Sequence, residues 1–132
     1  MSQQIPEKSA LGLDANLAAA LGYPIGIIGL INFIIEKQNR FVKFHGIQSV
    51  LYSVGLGVLF TAAWIVVGIL GMILSFVSEA LGFLVFGLTT LLALLVLLLW
   101  IGGLLFFAYR AYQGQMFKLP FIGNLAEKLT GA

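Results

Sequence analysis

From Phe44 to Tyr109 the chain carries a single formal charge, Glu79. A domain folded in water covers its surface with polar groups, and a run this long has too few to do so. Passage through a bilayer removes the difficulty, because each crossing needs roughly 20 consecutive apolar residues. The whole chain agrees, with 61% hydrophobic and 9% charged residues, against roughly 45–50% and about 25% in soluble domains. The expected fold class is an all-α integral membrane protein, with residues 1–132 forming one membrane domain.

The apolar run must turn somewhere. Ser75-Phe76-Val77-Ser78-Glu79-Ala80-Leu81-Gly82 is its one cluster of polar and small residues, so the hairpin is placed there. This predicts a second helix over 41–76, with an interfacial start, and a third over 80–113. Upstream, Asp14 is a candidate N-cap for a first helix over 15–36. At 1.5 Å per residue that helix is about 33 Å long, enough to cross, with a kink where Pro24 removes a backbone donor. Residues 1–13 read as a polar N-terminal tail without the pattern of a cleavable signal. Gly114 can end the third helix in a left-handed conformation. Beyond it, 115–132 read as an amphipathic cytoplasmic tail in which Phe121, Ile122, Leu125 and Leu129 recur at helical spacing.

Three transmembrane helices follow, and four rank second. With three, the amphipathic first loop and the C-terminus share a side that holds every Lys and Arg except Lys8. The excess of basic residues on cytoplasmic loops then predicts a multi-pass cell (plasma) membrane protein with its N-terminus outside and its C-terminus cytoplasmic. Lys37, Arg40, Lys43, Arg110 and Lys118 are the expected cytoplasmic anchor. The net charge of +2 is small and scattered, which argues against nucleic acid. Membrane lipid is the expected partner, together with a second copy or another membrane protein.

Small residues point to close helix packing. Ala18, Gly22 and Gly26 repeat every four residues on one face of the first helix. An antiparallel hairpin centred near Ser78 would bring Gly55 and Gly57 to the depth of Trp100, Gly102 and Gly103, a groove for a bulky ring. Asn32 is expected to bond a neighbouring helix.

His45, Gln48, Ser49 and Tyr52 form one polar and aromatic stripe where the second helix begins, behind Phe41 and Phe44. Polar side chains there face a bundle interior or a wet cavity rather than lipid. Two readings stand: hydrogen bonds that lock the first loop onto the bundle, or a polar vestibule at the cytoplasmic mouth of a path or a docking surface for a partner. Enzyme chemistry finds little support. The chain has no cysteine and one histidine, and the acids Glu7, Asp14, Glu36, Glu79 and Glu127 lie near segment ends without pairing. No metal, cofactor or catalytic group is expected.

The stretches Leu13-Asp14-Ala15-Asn16-Leu17, Glu36-Lys37-Gln38-Asn39-Arg40-Phe41-Val42-Lys43-Phe44-His45 with Gln48-Ser49, and Ala111-Tyr112 to Lys118-Leu119-Pro120 with Ile122-Gly123 resemble an uncharacterised family of small prokaryotic integral membrane proteins. That family is similar to the channel-like subunit of the chloroplast inner-envelope protein import translocon. The resemblance covers about residues 11 to 128, and the chain departs from it at Gly46 and at Gly22-Tyr23-Pro24, where the family more often has alanine and a proline-free run. It implies helical membrane subunits that work with partners. The expected function is a small non-enzymatic membrane subunit or accessory protein assembling with itself or others. The alternative is a channel or transport component whose path the polar stripe lines, and a lipid sensor using Arg40, Lys43, Lys118 and Lys128 is a third reading.

Overall fold

The computed structural model describes residues 7–131, and residues 1–6 of the expected N-terminal tail lie outside it. The described residues form five α-helices: α1 (Ala15–Leu21), α2 (Gly26–Ile35), α3 (Arg40–Val77), α4 (Glu79–Tyr112) and α5 (Ile122–Thr130). It divides into two compact units. One holds residues up to 54 and from 102 onward, here called the head; the other, Gly55–Ile101, is a hairpin.

The first expectation to change is the helix over 15–36. It is two helices of seven and ten residues, not one kinked helix. Pro24 has no N–H to donate, and Ile25 adopts a non-helical φ of −115° and ψ of 85° before α2 begins. At 1.5 Å per residue α1 and α2 are about 10 and 15 Å long, so neither spans a bilayer. The break also relocates the close packing. A Cβ on Gly29 would lie 2.9 Å from the Gly22 carbonyl oxygen, and one on Gly46 would lie 2.6 Å from the Gly29 carbonyl oxygen and 3.0 Å from the Phe33 nitrogen. Backbone therefore meets backbone where α2 crosses α3. Of the expected stripe, Ala18 is fully buried and Gly22 joins this contact, but Gly26 has open space around it.

Glu36 ends α2 and organises the turn into α3. Its buried carboxylate accepts from the backbone N–H groups of Ala10 at 2.7 Å, Asn39 at 3.1 Å and Gln38 at 3.3 Å. Asn39 then caps α3, its side-chain oxygen accepting from the Val42 N–H at 3.2 Å. At the other end of the head, Gly114 takes a φ of +77° just past α4, and the Gln115 N–H returns to the Arg110 carbonyl at 3.1 Å.

In the hairpin, α3 and α4 are separated by Ser78 alone. The Ser78 N–H donates to the Leu74 carbonyl at 3.0 Å, and the Ser78 carbonyl accepts from Gly82 at 3.1 Å. One residue thus closes one helix and opens the next. Gly82 lies tight against Ser75, where a Cβ would come within 2.8 Å of the serine Cβ. Large apolar side chains point outward along both helices, among them Val58, Ile65, Met72, Phe83, Leu91 and Leu98. Thr61, Ser75, Thr89 and Thr90 donate their hydroxyls to carbonyls of their own helix at 2.7–2.8 Å. Such a surface suits lipid, which supplies no hydrogen-bonding partner. Gly55 and Gly57 have nothing within 4 Å of a built Cβ, so no ring rests on them.

The α2–α3 crossing generates a paired prediction. Gly46→Ala should lower stability by about 1–3 kcal/mol, because the methyl group meets backbone rather than a movable side chain. Gly26→Ala should leave stability unchanged or raise it, since the site is open. Thermal melting of the purified protein in detergent, followed by circular dichroism, reads both.

Candidate functional site

The polar stripe on the first turns of α3 is buried by protein. His45, Gln48 and Ser49 are fully buried and Tyr52 is buried. What covers them arrives from both ends of the chain. Tyr23, from the α1–α2 break, is 1% exposed, and the extended segment after α4 supplies backbone groups of Gln115, Phe117 and Leu119.

The direction of each hydrogen bond can be worked out from groups of fixed polarity. The Gln48 amide meets a carbonyl and an N–H, and these orient it: Nε2 donates to the Phe117 carbonyl at 2.8 Å, and Oε1 accepts from the Leu119 N–H at 3.2 Å. Its second amide proton goes to the Tyr23 hydroxyl at 2.8 Å. His45 Nε2 lies 3.1 Å from the Gln115 carbonyl, which can only accept, so this nitrogen carries a proton. The Tyr23 oxygen, already accepting from Gln48, donates its own proton to His45 Nδ1 at 2.8 Å. Burial pushes the Tyr23 phenol well above its ordinary pKa, against an opposing hydrogen bond from Gln48, so the hydroxyl keeps the proton it donates. Donation runs from Gln48 through Tyr23 and His45 and ends on the Gln115 carbonyl. In its neutral form His45 is therefore the Nε2–H tautomer, with Nδ1 accepting from Tyr23.

Rings enclose this network. Phe41, Phe44 and Tyr23 stand edge-on to the His45 imidazole, with centroids at 4.6, 5.3 and 5.8 Å. Phe107 of α4 touches both Tyr23 and Tyr52, at 5.9 and 5.2 Å, and stacks on Phe117 at 5.8 Å. Ser49 donates to the Gly46 carbonyl of its own helix at 2.8 Å. Asn32 donates to the Ala18 carbonyl of α1 at 2.8 Å, so its amide bonds a neighbouring helix.

The anchor residues are distributed around the head. Lys37, Arg40 and Lys118 are exposed, while Lys43 and Arg110 are half-buried. Lys43 lies over the Phe33 ring, and the Arg110 guanidinium sits at 5.6 Å from Phe106 and 5.2 Å from Phe117. Lys118 pairs with Glu127 at 2.7 Å, an exposed pair worth about 0–1 kcal/mol. Among the described residues, no group of His, Cys, Asp or Glu is arranged to hold a metal ion. Sequence reasoning found the stripe but missed Tyr23 as its partner. The available signal was a tyrosine beside a helix-breaking proline, where the first apolar segment turns.

No family model and no solved structure matches the chain. Three curated relatives do. The UPF0132 membrane protein MJ1443 of Methanocaldococcus jannaschii is 40% identical over 93% of this chain and 94% of its own length. This chain belongs to the UPF0132 family of membrane proteins. A UPF0132 membrane protein of Archaeoglobus fulgidus is 34% identical over 90% of the chain and 98% of its own. A second Methanocaldococcus jannaschii member, MJ1527, is 28% identical over 90% of the chain and 72% of its own. The long exposed apolar faces of α3 and α4 are thus those of a UPF0132 membrane protein.

The network yields a graded prediction. Tyr23→Phe strands His45 Nδ1 without a donor and should cost about 1–3 kcal/mol in detergent melts. Gln48→Leu also releases the Phe117 carbonyl and Leu119 N–H, so trypsin should cut after Lys118 faster than in the unaltered protein. An unchanged cleavage rate would mean that Gln48 does not hold this segment.

Proposed function

We propose that this UPF0132 protein is a non-enzymatic integral membrane subunit, crossing the bilayer twice through α3 and α4 and assembling with a second copy of itself through the hairpin. One observation carries this reading. The donors and acceptors of the polar stripe are spent inside the head, while the hairpin keeps an open groove of about 390 Å³ lined by Trp64, Gly68, Gly71, Met72, Ser75 and Gly82. Small residues let a second helix approach closely there.

Two crossings also suit the lengths and charges. The hairpin portions 55–77 and 79–101 are each about 34 Å long, close to the roughly 30 Å hydrocarbon core. An even number of crossings puts residues before 55 and after 101 on one side. Those residues include all 7 Lys and Arg of the chain, which supports a cytoplasmic head with both ends of the chain inside. A translocation path along the stripe, the role that likeness to an import translocon would imply, has less support, because Gln48 and His45 are occupied by Tyr23 and by backbone.

Since the chain has no cysteine, single cysteines test both parts. Labelling of intact cells with an impermeant maleimide should reach Ser78→Cys and spare Leu11→Cys, Gln38→Cys and Gly131→Cys. Labelling of Leu11→Cys with Gln38→Cys protected would restore three crossings. Oxidation of membranes carrying Met72→Cys should give a disulfide-linked dimer, lost when Gly68→Ile, at a position with open space around it, fills the groove. Monomer alone, or a band containing a different protein, would overturn self-assembly.

A further inference from the structure

We infer that the outer edge of α5 is a membrane-interface anchor, in which Phe121, Leu125 and Leu129 enter the headgroup–acyl boundary while the opposite side of the helix stays bonded to the head. The sequence pattern puts these three with Ile122 on the apolar face of a tail expected to lie on the cytoplasmic surface or against the first loop. The structure divides that face. Gly123 and Ala126 are buried, and Ala126 joins the cluster of Phe44 and Ile47 on α3. Phe121, Leu125 and Leu129 are 88%, 46% and 50% exposed. Leu125 and Leu129 stand one turn apart on one side of the helix, and Phe121 precedes them at its N-cap.

Phe121 is held out by its backbone. It has φ 63° and ψ −52°, and the Ile122 N–H returns to the Pro120 carbonyl at 2.7 Å, which is the rare γ-turn of positive φ. A large L-residue in this region is strained. Glycine would relieve the strain, so a phenylalanine here is explained by what its ring does rather than by what its backbone prefers. The turn cannot drift, because the adjoining Leu119 N–H is held by Gln48 Oε1. The ring therefore projects from a fixed point.

Charge and continuity select lipid as the occupant. Asn124 and Lys128 are exposed on the other side of the row, and Glu127 is neutralised by Lys118 at 2.7 Å. The face beside the leucines is left with the positive charge of Lys128, the arrangement of a helix lying in an anionic interface. Tyr109 and Tyr112, both exposed in the last turn of α4, belong to the residue class that marks the headgroup level, and only the short segment 113–121 separates them from the ring. The inference does not depend on self-assembly through the hairpin, and its readout is separate from the Met72 crosslink.

The test uses the full protein in liposomes containing anionic lipid. Phe121→Cys and Leu125→Cys are each labelled with an environment-sensitive fluorophore, and Asn124→Cys serves as the water-facing reference. The expected result is blue-shifted emission at 121 and 125 that is quenched by lipids spin-labelled near the headgroup, with solvent-like emission at 124. Solvent-like emission at 121 and 125 would overturn the inference. So would blue-shifted emission that no lipid quencher reaches, which would mean that protein covers the row. Leu125→Cys keeps the γ-turn residue, so a folding defect at 121 leaves the test intact.

Discussion

The amide of Gln48 is the tie on which the head depends. It reaches the α1–α2 break through Tyr23 and the C-terminal segment through Phe117 and Leu119, so both ends of the chain are bound to one side chain of α3. The cost of leaving any of these groups unpaired in a buried site is about 1–3 kcal/mol each. Such a penalty explains why the extended segment 115–119, which has no helix of its own, is nevertheless held in place. The aromatic rings around His45 add the apolar wall that keeps water from competing for the same bonds.

Helix α3 has two kinds of surroundings along its length. Over its first turns the neighbours are protein, and its residues are polar and aromatic on one side with Gly46 where α2 must come close. Beyond Val54 its side chains face outward, and the hydroxyls that remain are folded back on their own helix. Backbone hydrogen bonds of a helix are satisfied within the segment, so they serve in either setting. The change is carried entirely by side chains.

Much of this was legible in the sequence, for reasons that differ by region. An apolar run with a single charge leaves little choice but long helices, and helices expected over 41–76 and 80–113 compare with α3 at Arg40–Val77 and α4 at Glu79–Tyr112. The first segment was less legible. Pro24 signals a kink in any helix, but a full break depended on Gly29 and Gly46 allowing α2 to fold against α3, a contact between residues far apart in sequence. Spacing alone also made Gly26, Gly55 and Gly57 look like packing sites, because periodicity puts Gly26 on a face and hairpin register puts Gly55 and Gly57 at a depth, and neither reports whether anything faces them. The same limit applies to α5. Its apolar residues were readable, but the choice of Gly123 and Ala126 as the buried side was decided by how little room α3 leaves beneath it.

Ser78 has a mechanical meaning. A hairpin with a flexible loop lets its two helices slip past each other, since slack at the turn absorbs the offset. Here the end of α3 and the start of α4 share one residue, whose N–H serves the first and whose carbonyl serves the second. A slip by one turn, about 5.4 Å, would have to unwind helix on one side and rewind it on the other. The pair is thus geared at its tip, free to twist or splay as a unit but without play along its length.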